Sequence, residues 1–293
     1  MTSLRLRMLE DMQIRNLAVN TQESYVQQVS LFARYFNQSP ERLGPEQIRT
    51  YQVYLTNEKK LATDSILIAI SALRFLYKVT LKKDWTFADI IPAPKKPQTL
   101  PVVLSPEEVL QFLACVGSRK HRAILTTCYA AGLRVSEAIA LTPPAIDSKR
   151  MVVRVEQGKG MKDRYVMLSP KLLEILRAWW RAERPEHWLF PGDMPGQHIG
   201  RSAVELECRK AHGICKISKP ITPHSLRHAF AVHLLEQGTN VRTIQLLLGH
   251  RSLATTAKYL RIATSKVCST TSPLDLLPQP VPLEVKPTPP PLF

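Results

Sequence analysis

The stretch GHRSLATTAKYL (249–260) sets a histidine, His250, nine positions before a tyrosine, Tyr259. Two other stretches carry side chains that could work with them. AGLRVSEAIAL spaces Arg134 and Glu137 one helical turn apart, and PHSLRHAFAVHLLEQG places His224 and Arg227 three apart, on one helix face. Lys159, between two glycines, adds a mobile cation. Taken singly, each has a plainer reading. Arg134 with Glu137 is a surface ion pair, and His224 is a helix-start residue. His228 and His233 are structural, Lys159 is solvated in its turn, and Tyr259 packs a helix.

The combination has a chemistry of its own. A phosphodiester under attack gathers negative charge on its equatorial oxygens. Two arginines can hold it bidentately and stabilise that charge, as a divalent metal would elsewhere. A tyrosine hydroxyl, with an ordinary pKa near 10, needs help to attack at neutral pH. Guanidinium charge nearby favours the phenolate, and a histidine can accept the proton. A lysine on a flexible hairpin can reach the leaving sugar oxygen and protonate it. Arg134, Lys159, His224, Arg227, His250 and Tyr259 are therefore a metal-free set for phosphoryl transfer to tyrosine.

The elements that must position this set follow from periodicity and caps. In the first part of the chain, Asn20 and Glu23 have capping-box spacing, and Tyr25, Val29, Phe32 and Phe36 form one apolar face. Pro45 opens a second helix, on which Ile48, Tyr51 and Leu55 share a face; Ile66, Ile70, Leu73 and Tyr77 mark a third. Arg15, Arg34, Arg74, Lys82 and Lys83 are left for the surface of this helical module. A proline-rich stretch with Lys95 and Lys96 follows and reads as an extended linker. Ser105, Pro106 and Glu108 then cap a new helix. Val152, Val153 and Val155 before a Gly-Lys-Gly turn, with Tyr165, Val166 and Met167 after it, predict a β-hairpin with Lys159 at its tip. Helices resume from Ser169, and the last 21 residues, with eight prolines, predict an extended or disordered tail.

Bulk composition narrows the partners. A length of 293 residues fits about two domains. The net charge of +16, from 40 Lys and Arg against 24 Asp and Glu, points first to a polyanion. Five scattered cysteines suit free thiols in a reducing cytoplasm. Cys208, His212 and Cys215 match no common zinc spacing and read as packed or surface residues. No apolar run is long enough for a membrane span, and the N-terminal segment has no apolar core of signal-peptide type.

AGLRVSEAIAL, GKGMKDRYVML, PHSLRHAFAVHLL and LLGHRSLATTAKY resemble, in order and approximate spacing, the motifs of the tyrosine recombinases. This is the phage integrase family, and the spellings are closest to its Xer-like members. The resemblance runs from about Asn20 to about Ala263. It implies a mainly α fold with a small β-sheet in two domains: a helical core-binding domain over 1–90 and a mixed α/β catalytic domain over 105–265, joined by a 91–104 linker and followed by a 266–293 tail. It also implies roles. Arg134 and Arg227 bind the phosphate, and Lys159 rather than Lys162 is the general acid toward the 5′ oxygen. His224 accepts the nucleophile's proton, His250 donates to the phosphate, and Tyr259 forms a 3′-phosphotyrosyl link. Glu137 supports the site.

The implied activity is site-specific DNA recombination through a Holliday junction, with no cofactor, metal or ATP. The implied partners are double-stranded recombination sites and a homo-tetramer, one dimer per site, with Arg15, Arg34, Arg74, Lys82, Lys83, Lys95 and Lys96 as backbone contacts. The setting would be cytoplasmic, on the nucleoid, and in a mobile element ahead of chromosome-dimer resolution. Family members often dock a short helix beyond the tyrosine on a neighbouring protomer; ATSKVCSTTSPLDLLPQP leaves little room for one before the prolines. Two other functions use the same fold: a DNA-binding regulator without catalysis, and type IB topoisomerase-like nicking and rejoining. The complete six-residue set argues against the first, and the Xer-like motif spellings against the second.

Overall fold

The computed structural model describes residues 2–86, 92–94, 102–158 and 162–262. Lys95, Lys96, Lys159 and the 266–293 tail lie outside the described residues. The chain divides into two compact units, one within Met1–Thr99 and one within Leu100–Phe293. Among the described residues, no helix is long and apolar enough to cross a membrane.

The first unit is helical: α1 (Ser3–Ile14), α2 (Val19–Phe36), α3 (Pro45–Val53) and α4 (Thr63–Phe75). Its core is Phe32, Ile48, Tyr51, Leu55, Ile66, Ile70, Leu73 and Tyr77, which includes the two later helical faces read from the sequence. Tyr25, Val29 and Phe36 pack half-buried against this core. The buried Tyr77 hydroxyl donates to the Pro40 carbonyl at 2.8 Å, so this ring can sit inside without an orphaned donor. Helix α1 adds Met8 and Met12, one turn apart on its inner face. The expected Asn20–Glu23 box does not form. Ala18 caps α2 instead, because its carbonyl already receives the amides of Thr21 and Gln22, and the Gln22 side chain closes back on Leu17. The helix has thus begun before Asn20. Arg34, Lys82 and Lys83 are exposed and Arg74 is half-buried. Arg15 is exposed but engaged, donating to the Asp11 carbonyl at 2.9 Å and lying 6.0 Å from the Phe75 ring.

The second unit contains α5 (Pro106–Ala114), α6 (Arg119–Ala130), α7 (Val135–Ile139), α8 (Pro170–Glu183), α9 (Arg201–Ile214), α10 (Pro223–Glu236), α11 (Val241–Leu248) and α12 (Leu253–Ala257). A three-stranded antiparallel sheet, β1 (Ile146–Asp147), β2 (Val152–Gly158) and β3 (Lys162–Met167), lies between α7 and α8 in sequence, in the order β1-β2-β3. The capping box at Ser105 forms as expected: its hydroxyl accepts from the Glu108 amide, and the Glu108 carboxylate accepts from the Ser105 amide. Ser169 likewise caps α8 by accepting from the Leu172 amide. In the β2–β3 hairpin, Val153 pairs with Val166 and Val155 with Arg164. Val153, Val155 and Val166 are buried while Tyr165 is exposed, the period of two that a half-buried sheet requires. Short strand β1 was not expected; an Asp147 carboxylate that accepts the Lys149 and Arg150 amides turns the chain from it into β2.

Helix α10 is the axis of this unit. Leu226, Ala229, Ala231 and Leu235 are fully buried on it. Gly132, in the left-handed region at φ +62, packs against the Phe230 ring of this helix. A Cβ there would stand 2.5 Å from Phe230 Cδ1. Gly132→Ala is therefore expected to lower stability by ~2 kcal/mol or more, from left-handed strain plus overpacking. Urea unfolding of the two proteins checks this.

Candidate active site

The site is assembled from four places in the second unit. Arg134 is the residue that caps α7, and Glu137 lies in that helix's first turn. The Glu137 carboxylate accepts the Arg134 amide at 2.8 Å and the Arg134 guanidinium at 2.7 Å. The pair thus folds back across the helix start, where a carboxylate is favoured by the exposed amides and the helix dipole.

Strand β3 supplies a second guanidinium. Arg164 meets both oxygens of Glu137 at 3.0 and 2.8 Å and donates from Nε to the Leu247 carbonyl at 2.9 Å. Motif reading missed this residue. Its signal was strand parity: residues two apart face the same side, and Val166 faces the core, so Arg164 does too. Helix α11 ends at Gly249, at φ +62, and a Cβ there would lie 3.0 Å from Arg164 Cδ. The glycine lets the turn before His250 pack on this guanidinium.

Arg227 projects from α10 and has no solvent exposure. Its Nη1 donates to the Gly132 carbonyl at 2.6 Å and lies 3.6 Å from Glu137 Oε2, and its Nη2 donates to the Leu248 carbonyl. Its Nε is buried and has no protein partner among the described residues. Burial pushes the Arg227 guanidinium down to about 10, helped by the charge of Arg134; it stays charged at pH 7. Burial alone would raise the Glu137 carboxyl. The hydrogen bonds and charge of Arg164, with the amide and charge of Arg134, win and hold it at about 2. One carboxylate against three guanidiniums leaves the cluster net positive, as an anion-binding site must be.

The histidines and the tyrosine complete the site. Thr222 caps α10, with Pro223 at its first position. His224 stands exposed in the first turn, and its ring meets His228, one turn on, with centroids 4.3 Å apart. His228 Nδ1 lies 2.7 Å from the Tyr259 hydroxyl. Tyr259 sits in a short 3-10 turn after α12 and is 4% exposed, packed on the cluster of Phe230, Leu235, Ile244 and Leu248. His250 Nδ1 pairs with Thr256 Oγ1 at 2.9 Å, and its ring lies nearly parallel to Tyr259 at 6.5 Å. Burial raises the Tyr259 phenol, while the charges of Arg227 and Arg134 pull it down.

The structure thus brings together Arg134, Glu137, His224, Arg227, His250 and Tyr259. Lys159 lies outside the described residues, between β2 and β3 in sequence. His228, read from sequence as structural, is the histidine that touches the tyrosine. The Cys208, His212 and Cys215 side chains lie apart from this site, each against a backbone carbonyl. No group of His, Cys, Asp or Glu among the described residues could hold a metal ion.

A helical unit followed by a mixed unit, with guanidiniums facing a buried tyrosine, has the architecture of a tyrosine recombinase. Residues 103–266 match the phage integrase family, and residues 4–87 match the family's N-terminal SAM-like domain. The chain belongs to the phage integrase family and is a tyrosine site-specific recombinase. It is 69% identical to the integrase/recombinase-type protein y4qK of Sinorhizobium fredii, over 99% of this chain and 93% of that one. It is 32% identical to the tyrosine recombinase XerD of Lacticaseibacillus casei, over 85% of this chain and 90% of that one. A crystal structure of XerA recombinase is 28% identical, with a TM-score of 0.53, and covers 92% of this chain and 99% of its own. XerH bound to palindromic difH substrate in a post-cleavage complex, 20% identical, shares the fold with a TM-score of 0.70 over 88% of this chain and 80% of its own.

Two outcomes follow from the electrostatics. Burial, then neighbouring positive charge, depresses His228 and His250 from 6.5 to about 4 each. Between pH 6.5 and 4 the unfolded chain binds more protons than the folded one, so stability rises with pH across that window. Acidification from pH 6.5 toward 4 is expected to lower the thermal midpoint, and His250→Gln is expected to make that fall shallower. Arg164→Met removes a partner from a buried carboxylate and should cost about 3–5 kcal/mol, read by urea unfolding at pH 7.

Proposed function

We propose that this chain cuts and rejoins DNA at specific sites through a covalent 3′-phosphotyrosyl intermediate on Tyr259. Arg134 and Arg227 hold the scissile phosphodiester and stabilise the charge that develops on it. His250 donates a hydrogen bond to the phosphate, and His224 accepts the proton of the Tyr259 hydroxyl. Lys159 protonates the leaving 5′ oxygen. Glu137 keeps the arginines aligned. The observation that carries this reading is the convergence of Arg134, Arg227, His228 and His250 around a buried tyrosine hydroxyl. A bond to tyrosine replaces a bond to the sugar oxygen, so the energy of the phosphodiester is conserved and a free 5′ hydroxyl can reverse the step. Strand exchange then needs no ATP.

The partners are double-stranded recombination sites, bound by a helical core-binding domain (1–90) and a catalytic domain (105–265). Two sites are joined in a homo-tetramer, and the exchanges pass through a Holliday junction. Exposed Arg34, Lys82 and Lys83, with the lysines of the 91–104 linker, meet the phosphate backbone. The net charge of +16 supports a polyanionic partner. A mobile element is the expected setting. No other reading has an observation in its favour.

The test is covalent capture. The chain is incubated with a random-sequence library of nicked duplexes, denatured in SDS, and the attached DNA is sequenced. The expected result is an enriched sequence attached to the wild-type chain. Tyr259→Phe should bind that sequence with unchanged affinity and form no adduct; an adduct surviving in that variant would overturn the assignment of the nucleophile.

A further inference from the structure

His250 can donate to a phosphate only through a ring nitrogen that carries a proton, and a neighbouring group must decide which nitrogen that is. We propose that Thr256 is a positioning residue for His250: its hydroxyl donates to Nδ1, which keeps the proton on Nε2 and fixes the angle at which Nε2–H meets the phosphate. This rests on the reading of His250 as a phosphate donor and deepens it by naming what orients that donor.

Geometry carries the assignment. Thr256 Oγ1 lies 2.9 Å from His250 Nδ1, a full hydrogen bond by distance. Thr256 is 1% exposed, so water does not compete for the hydroxyl, and a buried hydroxyl without a partner is costly. Among the described residues the imidazole is the one partner of that hydroxyl, and Nε2 makes no hydrogen bond to protein.

Backbone and ring of His250 are held separately. The His250 amide donates to the Gln245 carbonyl at 3.1 Å, and the His250 carbonyl accepts from the buried Gln245 side chain at 3.0 Å. These bonds fix the main chain and leave the ring its side-chain torsions. Thr256 removes that freedom, from a β-branched side chain that is itself stiff at χ1 on a helix capped by Ser252. The ring then stands nearly parallel to that of Tyr259, with centroids 6.5 Å apart. Thr256 and Tyr259 are both buried and lie within one helical turn. The segment from His250 to Tyr259 thus aligns the phosphate donor with the nucleophile, while the arginines come from α7 and α10.

The charge state makes the choice of nitrogen matter. Burial first, then the charges of Arg227 and Arg134, hold the His250 imidazole at about 4, so it is neutral at pH 7 and carries a single N–H. With that proton on Nδ1, Nε2 would turn a lone pair toward a phosphate oxygen and repel it. A hydroxyl that donates to Nδ1 excludes this arrangement. Both bonds then run in one direction, from the threonine to the ring and from the ring to the phosphate.

The test uses the full chain and the duplex recovered by covalent capture. The ring-nitrogen shifts of isotope-labelled histidine, with His250 identified by the signal lost in His250→Phe, should place its proton on Nε2 at pH 7. Thr256→Val has nearly the same shape and no hydroxyl. At saturating chain its adduct formation should slow by ~5–10-fold, the order of one lost hydrogen bond. Thr256→Ser, which restores the hydroxyl, should recover most of that rate. Thr255→Val, on the exposed neighbour, should cleave as wild type. In a His250→Phe background, Thr256→Val should cause no further loss, because a residue that acts through His250 has nothing left to orient. A proton on Nδ1 would overturn the proposal. So would cleavage by Thr256→Val at the wild-type rate, an equal loss in Thr255→Val, no recovery in Thr256→Ser, or an undiminished loss in the His250→Phe background. Cleavage by His250→Phe itself at the wild-type rate would bring down the donor role of His250, and the proposal with it.

Discussion

The carboxylate of Glu137 is surrounded by three guanidiniums. Arg134 comes from the start of α7, Arg164 from β3 and Arg227 from α10, and each is drawn to the same two oxygens. A carboxylate buried to this degree is costly unless it is paired and hydrogen-bonded. Here its partners are also the groups that need fixing. Like charges would otherwise push Arg134 and Arg227 apart, since the charge of Arg134 disfavours that of Arg227. The shared anion offsets that repulsion and still leaves a positive excess for a phosphate.

The same cluster fixes backbone as well as side chains. Arg227 ties the Gly132 and Leu248 carbonyls to α10, and Arg164 ties the Leu247 carbonyl to β3. Both arginines therefore hold the end of α11, from which Gly249 turns the chain toward His250. The chain then passes through α12 to Tyr259, which returns to α10 and His228. The loop of interactions closes on itself, from the helix that carries Arg227 back to that helix. A rigid site of this kind is preorganised for charge that develops later, which is where electrostatic catalysis gains most.

Much of this was legible from the chain alone. Period-four and period-three apolar spacings mark α3 and α4, Ser105 and Ser169 start their helices, and alternating valines mark β2 and β3. Each signal is local, because a cap or a periodicity depends on residues within a turn or two of one another. The Asn20 box failed for the same reason in reverse: the sequence pattern was present, but a turn closed by Ala18 and Leu17 had already started the helix. Helix α1 carried too weak an apolar stripe to stand out, and its Met8 and Met12 are inside because α2 and the turn Leu76–Thr80 provide somewhere for them to pack.

The residue types and their order determined which chemistry was available: two arginines, histidines and a tyrosine in recombinase-like motifs, on a chain with a net charge of +16. Tertiary structure decided which of them touch. It turned Arg164 inward, since strand parity acts only once the hairpin lies on a core. It also set His228, not His224, against Tyr259, since that distance depends on how the turn after α12 docks on α10. Spacing along one helix fixes which side chains share a face. What meets that face from 31 residues away is fixed by packing, burial and charge across the whole unit.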